Sequence, residues 1–253
     1  MYARRDILKT IGALPLSAIL ADPVLAKAAA STLNTVSLKL DNGKAISASL
    51  ALPQQLPAPT VLLIHEWWGL NDQIKSVAAE YAKLGYAALA VDLYQGQVAT
   101  ERDKAREYME SMRAPEARET LAKWVDWMRS HEATTEKLGT VGWCFGGGWS
   151  LNASIGSPVD ATVVYYGNVQ RTDAELAHLK GPVQGHFATL DKWINKDMVG
   201  RFTEAMKKAG QPAPEVYWYE ADHAFANPSG GRYDQEDTQL AWERTQAFLK
   251  SNL

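Results

Sequence analysis

The hydrophobic and polar positions follow two different patterns along the chain. Residues Thr35–Leu40 alternate with a period of two, Asp41-Asn42-Gly43 is a turn sequence, and the alternation resumes over Lys44–Leu52. Alternation on both sides of a short Asn-Gly turn predicts a β-hairpin. After a loop at residues 53–59, short apolar runs are separated by longer amphipathic segments. The chain is therefore expected to open with antiparallel strands and to continue with a different architecture.

The short apolar runs predict buried strands, and the amphipathic segments between them predict helices. The predicted strands are Thr60–Ile64, Ala87–Val91, Leu138–Gly142, Ala161–Tyr165, Val183–Ala188 and Glu215–Tyr219. The predicted helices are Ile74–Leu84, Ala114–Ser130, Phe145–Ile155, Lys196–Lys208 and Gln235–Lys250. Alternating strands and helices form βαβ units, which give a mostly parallel central sheet with helices on both faces. Because no linker or repeat divides the chain, we predict one α/β domain over residues 31–253.

Residues 1–30 have the pattern of a targeting segment. Arg4 and Arg5 resemble a twin-arginine signal, an apolar stretch follows over Ile11–Leu20, and Ala26–Ala30 contains two small-residue cleavage patterns. The alternative, an amphipathic surface helix, is interrupted by two prolines. We therefore predict an exported, periplasmic protein that folds before it crosses the membrane and loses residues 1–30 as a signal peptide.

Composition and charge exclude several classes of protein. Of the 253 residues, 46% are hydrophobic and 22% are charged, as in an ordinary globular domain. The 26 basic and 29 acidic side chains give a net charge of −3, which argues against a nucleic-acid partner. A single cysteine excludes an intramolecular disulfide and a multi-cysteine metal site. We expect a monomer with no nucleic-acid partner and no stable membrane anchor once the leader is removed.

The single cysteine lies in the most distinctive motif of the chain. Gly142-Trp143-Cys144-Phe145-Gly146 follows an apolar predicted strand and opens a predicted helix. Gly-x-nucleophile-x-Gly between a strand and a helix is the nucleophile elbow, in which the glycines allow a tight turn. The free N–H groups and the dipole of the following helix favour a thiolate. The alternative is a buried, unreactive thiol, but the motif favours Cys144 as a nucleophile.

On this fold a nucleophile is followed along the chain by an acid and then by a histidine. His223 follows the predicted strand Glu215–Tyr219 and precedes the last helix, in the loop where the base is expected. Asp191 follows the preceding strand and is the candidate acid, with the role of orienting the imidazole and stabilising the imidazolium. Asp222 is a rival acid, although its adjacency to His223 makes a side-chain pairing awkward. His186 lies inside a predicted strand and is interpreted as a core or pocket residue.

The first buried strand is followed by the segment His65–Asn71, in the position of the loop that completes the oxyanion hole in α/β-hydrolases. We expect the backbone N–H groups of Trp67 and Phe145 to be the two donors. Glu66 is a carboxylate at the end of a hydrophobic strand. It is interpreted either as a member of a structural salt bridge or as a group that contacts the thiol and controls its ionisation.

At these motifs the chain resembles the dienelactone hydrolase family of the α/β-hydrolases. The resemblance runs from about Val36 to Leu249 and rests on His65–Asn71, Asp92-Leu93-Tyr94, Gly142–Gly147, Asp191 and His223-Ala224-Phe225. It implies a triad of Cys144, Asp191 and His223, a thioester acyl-enzyme, and no metal or organic cofactor. It also implies that Glu66 hydrogen-bonds the resting thiol and moves when substrate arrives. The implied reaction is hydrolysis of a small ester or lactone.

Two positions depart from the family pattern. Characterised dienelactone hydrolases carry an arginine shortly after Asp-Leu-Tyr and another four residues after the histidine, and both grip the substrate carboxylate. The corresponding positions here are Gly96 and Asn227, and neither makes a charge-assisted bidentate contact. The open candidates to replace the arginines are Arg106, Arg171 and Arg232. The residues expected to bind substrate are Trp68, Tyr94, Trp143 and Asn227, with core packing as the alternative for Trp143.

Two other interpretations stay open. A non-hydrolytic protein of the same fold would use Cys144 as a redox-sensitive or ligand-binding thiol. The acid and the histidine at triad spacing favour the enzyme, since a sensor needs neither. A metal site built on His65, Glu66 and His186 lacks a recognised ligand spacing.

Overall fold

The computed structural model describes residues 19–20 and 22–253 and places them around an eight-stranded sheet. The strands in chain order are β1 (Asn34–Lys39), β2 (Ala45–Ala51), β3 (Ala58–Ile64), β4 (Ala87–Val91), β5 (Thr134–Trp143), β6 (Ala161–Tyr165), β7 (Val183–Ala188) and β8 (Glu215–Tyr219). Their order across the sheet is β1-β2-β4-β3-β5-β6-β7-β8. All six predicted buried strands are present, four of them with the predicted bounds.

The first two strands form the predicted antiparallel hairpin. The Leu40 N–H donates to the Lys44 carbonyl at 2.9 Å, and Gly43 has a φ of +84°, which glycine adopts without strain. β2 pairs with β4 in the antiparallel sense, and each later pair is parallel. The sheet is thus mostly parallel, as predicted. The loops that follow β3 to β8 therefore lie at one edge of it, the carboxyl edge.

Eight helices flank the sheet in the described part of the chain. They are α1 (Pro23–Ala30), α2 (Asp72–Lys83), α3 (Arg102–Ser111), α4 (Ala114–Ser130), α5 (Phe145–Gly156), α6 (Asp173–Leu176), α7 (Lys196–Lys208) and α8 (Gln235–Asn252). The five predicted helices correspond to α2, α4, α5, α7 and α8. Polar caps begin several of them: the Asn71 side chain accepts the N–H of Ile74 at the start of α2.

Helices cover both faces of the sheet because parallel strands bury their side chains on both sides. Val61 and Leu63 of β3 belong to the core cluster that includes residues of α2 and α8. The alternate residues Leu62 and Ile64 belong to the cluster formed with α4 and α5. Trp124 of α4 is fully buried in that second cluster. The predicted two-faced α/β architecture is confirmed.

Helix α1 lies within residues 1–30, the segment that the sequence pattern assigns to the leader. The Asp22 carboxylate caps it by accepting the Val24 N–H at 2.8 Å, and Ala29 packs on Ala79 of α2. Arg4 and the rest of the expected signal before residue 19 lie outside the described residues. None of the helices described here is long and apolar enough to cross a membrane.

Candidate active site

Cys144 lies at the sharp turn between β5 and α5. Its backbone φ is +54°, a left-handed conformation that costs a non-glycine residue about 1–3 kcal/mol. Gly142 and Gly146 make the turn possible. A Cβ on Gly142 would collide with the Gly146 carbonyl, and a Cβ on Gly146 would collide with the carbonyl of Ile64. The turn places the half-buried thiol at the carboxyl edge of the sheet, the geometry of a nucleophile elbow.

The side chains of Cys144, His223 and Asp191 form a row of hydrogen bonds. His223 Nε2 lies 3.1 Å from Cys144 Sγ, and His223 Nδ1 lies 2.6 Å from Asp191 Oδ2. The backbone N–H groups of Trp193 and Ile194 donate to Asp191 at 2.8 and 3.1 Å and fix its carboxylate. The three residues meet because β5, β7 and β8 all end at the same edge of the sheet.

The rival acid Asp222 is not part of this row. Its carboxylate accepts the backbone N–H of His223 at 2.7 Å and so faces the main chain rather than the imidazole.

Four non-glycine residues in the described chain have a positive φ, and three of them, Cys144, Tyr166 and Ala224, belong to or adjoin the site. Backbone strain of this kind is concentrated at functional sites.

The imidazole of His223 lies between two acidic groups, and this determines its charge. Burial by itself lowers the pKa of His223, but hydrogen bonds to Asp191 and Cys144 outweigh burial and raise that pKa to about 10. Burial by itself raises the pKa of Asp191, yet the hydrogen bonds from His223 and from two backbone N–H groups reverse the effect and lower it. The arrangement favours a protonated His223 beside an ionised Asp191.

Two backbone N–H groups near the thiol are available to bind an anion. Those of Trp67 and Phe145 donate no hydrogen bond to any described residue. The loops that carry them are in contact, because Gly146 lies against the carbonyl groups of Ile64 and His65. Phe145 begins α5, where N–H groups lack intrahelical acceptors and the helix dipole is positive. The pair has the chemistry expected of an oxyanion hole.

Glu66 is buried near His223, and its hydrogen bonds are made to residues other than Cys144. Its carboxylate accepts hydrogen bonds from the side-chain amide of Asn227 and from the Tyr166 hydroxyl, the latter at 3.4 Å. Burial raises the pKa of Glu66 to about 7, although His223, Asn227 and Tyr166 each lower it. The resemblance implies a hydrogen bond to the thiol, but the recorded partner of the thiol is His223. Within the described residues Glu66 is bound neither to the thiol nor to a salt-bridging cation, because Asn227 and Tyr166 occupy its oxygens.

His65 is fully buried and joins the loop after β3 to the loop after β4. Its Nδ1 is hydrogen-bonded to the Glu66 carbonyl at 2.5 Å, and its Nε2 accepts the Leu93 N–H at 3.2 Å. Asp92 closes the second loop by accepting the N–H groups of Tyr94, at 2.8 Å, and of Gly96. The Asp-Leu-Tyr motif thus fixes the position of the loop next to Glu66.

Three aromatic residues expected to bind substrate lie near the nucleophile turn. Trp143, directly before Cys144, is buried and lines a cavity that also reaches Glu66. Trp68 is half-buried in the oxyanion loop. Tyr94 is buried with its ring 5.5 Å from that of Phe145, and its hydroxyl has no hydrogen-bond partner among the residues described.

The two family arginine positions carry no cation in this chain. Asn227 donates to Glu66, and its amide oxygen accepts the Ser229 N–H at 3.0 Å. Its side chain is therefore engaged inside the protein rather than directed at a bound substrate. Gly96 lies in a turn with a φ of +83°, a conformation that favours glycine over a residue with a side chain.

The three candidate replacement arginines differ in where they lie. Arg171 donates hydrogen bonds to the Asn152 side chain and to the Gly148 carbonyl, both of helix α5. Arg106 is an exposed residue of α3. Arg232 packs over the Trp193 ring, 5.7 Å from its centroid, and that ring lies 5.3 Å from the imidazole of His223. Contacts therefore connect Arg232, rather than the other two, to the imidazole.

Tyr166 is a residue of the site that the sequence pattern did not single out. Its ring lies 5.3 Å from the His223 ring, and its hydroxyl donates to Glu66. It directly follows β6, which pairs with β5 in the sheet. Ligands of open α/β sheets bind beyond the carboxyl ends of adjacent strands. The position of Tyr166 after the predicted strand Ala161–Tyr165 is therefore the signal that identifies it.

His186 lies in the core. Its Nδ1 is hydrogen-bonded to the Tyr219 hydroxyl at 2.8 Å and its Nε2 to Gln184 at 2.9 Å. Burial lowers the pKa of His186 to about 3, so the ring is neutral. No group of three or more His, Cys, Asp or Glu side chains converges on a possible metal position in the described part of the chain.

Comparisons with known proteins place these features in a family. Residues 46–253 match the model of the dienelactone hydrolase family. The chain is 31% identical over 222 residues to Protein usf of Aquifex pyrophilus, covering 84% of this chain and 96% of that protein. It is 26% identical over 225 residues to the carboxymethylenebutenolidase of Pseudomonas putida, covering 85% of this chain and 94% of that protein.

The solved structures support the same architecture. A dienelactone hydrolase-like promiscuous phosphotriesterase from metagenomic libraries matches with a TM-score of 0.75 at 20% identity, over 87% of this chain and 98% of that one. At this identity the match shows the fold alone. Together with the family match over residues 46–253, it establishes that the chain has the predicted α/β-hydrolase fold and belongs to the dienelactone hydrolase family.

Proposed function

We propose that this protein is a thiol hydrolase that cleaves small esters or lactones, with Cys144 as its nucleophile. The observation that carries the proposal is the row of hydrogen bonds from Asp191 through His223 to Cys144, at 2.6 and 3.1 Å. Membership of the dienelactone hydrolase family supports the same class of reaction. The name of the Pseudomonas putida relative, a carboxymethylenebutenolidase, agrees with it.

The first half-reaction forms a thioester. His223 holds the proton of the thiol, and the Cys144 thiolate attacks the carbonyl carbon of the substrate. The carbonyl electron pair moves to oxygen, where the N–H groups of Trp67 and Phe145 stabilise the negative charge. The C–O bond then breaks, and the departing oxygen takes the proton from His223. The product alcohol leaves from an ester, and it stays attached to the acyl group when the substrate is a lactone.

The second half-reaction returns the free thiol. His223 accepts a proton from a water molecule as the water oxygen attacks the thioester carbonyl. The second tetrahedral intermediate uses the same two N–H donors. Its collapse breaks the C–S bond, releases a carboxylic acid and leaves the proton shared between His223 and Cys144. Asp191 stabilises the imidazolium in both half-reactions.

Glu66 acts as a positioning residue in this mechanism. Asn227 and Tyr166 hold its carboxylate, which leaves the thiol paired with His223. The family resemblance implies a second arrangement, in which the carboxylate binds the thiol in the absence of substrate. If the thiol exchanges between Glu66 and His223 as hydrogen-bond partners, it becomes reactive only when bound substrate shifts the equilibrium toward the pair with His223.

Steady-state hydrolysis of p-nitrophenyl acetate and of a simple lactone tests the proposed function. Because Cys144 is the single cysteine of the chain, Cys144→Ala removes every thiol. We expect this variant to lose roughly 10³-fold or more in kcat/KM. Turnover close to wild type in Cys144→Ala would overturn the mechanism. A fast-alkylating thiol in a wild-type protein that hydrolyses no ester would instead favour the redox or ligand-binding role.

We also propose that the chain is exported by the twin-arginine route and loses its leader. Arg4 and Arg5 followed by an apolar stretch support this. The structure adds a condition: the cleavage patterns lie in helix α1, where Ala29 is only 3% exposed. Helix α1 must therefore detach before a peptidase reaches them. Fractionation of cells should find wild type in the periplasm and an Arg4→Lys, Arg5→Lys double variant in the cytoplasm; equal distributions would contradict export by this route.

A further inference from the structure

A cavity adjoins the site on the side of helices α2 and α8. Its walls include Glu66 and Trp143 at the end of the sheet, Val77 of α2 and Trp242 of α8. Its volume is about 40 Å³, which is room for a few water molecules or a short hydrocarbon chain. Because aromatic and aliphatic side chains form most of these walls, the cavity suits an apolar group.

Two side chains separate this cavity from the reacting atoms. Glu66 and Tyr166 both line it, and the Tyr166 ring also contacts the His223 ring at 5.3 Å. Trp143, a third member of the wall, directly precedes Cys144. These shared residues place the cavity beside the thiol and the imidazole.

Two polar groups in the walls restrict the chemistry of the occupant. Among the described lining residues Glu66 alone is an acid or a base. Because the described walls carry no cation, an ionised carboxylate would lose its hydration there without a charged partner, whereas an uncharged group would not. The Tyr233 hydroxyl is buried in the same walls and has no hydrogen-bond partner among the residues described. Because buried polar groups are normally paired, this hydroxyl offers a hydrogen bond to an oxygen of the occupant.

Leu20, in the amino-terminal segment, forms part of the cavity wall. Its neighbour Ile19 is fully buried against Ala29 and Ala79. A hydrogen bond of 2.8 Å from the Ser76 hydroxyl to the backbone of α1 also ties this segment to α2. Leu20 is therefore held at the wall by contacts that involve none of the triad residues.

We propose that this cavity binds an uncharged, mainly apolar acyl or alkoxy group of the substrate and that Leu20 determines how long that group can be. The proposal rests on the proposed ester hydrolase function and names the substrate class of the same site. A smaller side chain at position 20 lengthens the cavity, and a larger one fills it. Removal of residues 1–30 on export would have the effect of the smaller side chain.

The test uses the full-length chain and p-nitrophenyl esters of acetate, butyrate and hexanoate. The measured quantity is the ratio of kcat/KM for hexanoate to kcat/KM for acetate, because the hexanoyl chain is four carbons longer and is the group expected to occupy the cavity, whereas acetate serves as the reference for the chemistry at the thiol. We expect Leu20→Ala to raise the ratio about fourfold for each additional methylene accommodated. Leu20→Trp should lower the ratio. Leu25→Ala shortens a leucine of the same segment that packs outside the cavity, and it should leave the ratio unchanged.

The same ratio in all four proteins, with normal acetate turnover, would overturn the proposal while leaving the hydrolase function intact. If wild type hydrolyses no ester, the hydrolase function fails and binding tests the cavity separately. Binding of 1-hexanol to the Cys144→Ala protein is then followed by the fluorescence of Trp143 and Trp242, which line the cavity. Tighter binding after adding Leu20→Ala would support the proposed cavity, and equal binding would refute it.

Discussion

The side-chain amide of Asn227 is hydrogen-bonded to the buried carboxylate of Glu66. An arginine at position 227 would pair with Glu66 as a charge and hold it ionised. The asparagine donates a neutral hydrogen bond, and burial keeps the pKa of Glu66 at about 7. Glu66 therefore changes its protonation state close to neutral pH, near the pair formed by His223 and Cys144.

The raised pKa of Glu66 predicts a pH-dependent stability that Glu66→Gln removes. The folded protein keeps a proton on Glu66 up to about pH 7, whereas the ordinary glutamate pKa is 4.5. The folded state thus binds more protons between these values, so the free energy of unfolding falls as the pH rises from 4.5 to 7. The fall is of the order of 3 kcal/mol. Urea unfolding at pH 5 and pH 8 measures it.

Glu220→Gln is the matched control for this measurement, because Glu220 is exposed. Wild type and Glu220→Gln should lose stability in parallel between the two pH values, and Glu66→Gln should lose less. The same loss in all three proteins would show that Glu66 does not titrate in this range.

Asp191→Asn should reduce kcat/KM by roughly 10³–10⁴-fold, because the amide no longer stabilises the imidazolium. Asp222→Asn is the control, since that carboxylate binds the backbone of His223 and not its ring. We expect its kcat/KM to stay within about threefold of wild type. Comparable losses in the two variants would contradict the assignment of Asp191 as the acid.

The hydrogen-bonded pair of His223 and Asp191 predicts a second pH-dependent change in stability, at higher pH. The pKa of His223 is about 10 in the folded protein against an ordinary value of 6.5. The folded state therefore holds the extra proton between these values, and its stabilising contribution is complete below pH 6.5 and is lost as the pH rises through 10. Wild type should lose more stability than Asp191→Asn between pH 7 and pH 10 in urea titrations. Parallel curves would argue against a raised His223 pKa.

Gly146→Ala should destabilise the fold by about 3 kcal/mol or more, because its Cβ has no space beside the carbonyls of Ile64 and His65. Gly156→Ala, at the far end of the same helix, places a Cβ where no atom lies within 4 Å. That control should be neutral or stabilising by about 0.4–1 kcal/mol. Chemical denaturation measures both, and equal effects would contradict the close approach at the nucleophile turn.

Substrate charge provides a further prediction. With Gly96 and Asn227 at the family arginine positions, p-nitrophenyl butyrate should be hydrolysed with a higher kcat/KM than the mono-p-nitrophenyl ester of succinate. Arg232→Gln should lower the succinate value by about twofold to fivefold, the effect of a partly exposed charge pair, and leave butyrate unchanged. Arg106→Gln is the control. Preference for succinate in wild type, or an equal effect of both arginine variants, would contradict this placement of charge.

The sequence predicts the elements of the fold and the three hydrogen-bonded residues Cys144, His223 and Asp191 for the same physical reason. Fully buried parallel strands appear as short apolar runs, so the pattern shows where each strand ends. It therefore also shows the turn at Cys144 and the loop at His223, which directly follow strands. The contacts between loops are not visible. Tyr166 reaches Glu66 only because β6 pairs with β5, and Asn227 reaches Glu66 across 161 positions of chain.

The docking of the amino-terminal segment is the other feature that the sequence pattern did not predict. Small residues such as Ala29 resemble a cleavage pattern in sequence, yet the same small size allows α1 to pack closely on Ala79 of α2. The two roles differ only in what the helix contacts. Sequence periodicity over eight residues does not contain that information.

Trapping of the acyl-enzyme tests the central claim most directly. Wild type and Cys144→Ala are mixed with p-nitrophenyl acetate, quenched in acid within the first turnovers and analysed by mass spectrometry of the peptide that contains position 144. We predict that an acetyl group appears on Cys144 in wild type, that hydroxylamine removes it as expected of a thioester, and that Cys144→Ala shows neither adduct nor turnover. Undiminished turnover by Cys144→Ala, or an acetyl group on another residue that forms and decays at the rate of turnover, would contradict a thiol hydrolase.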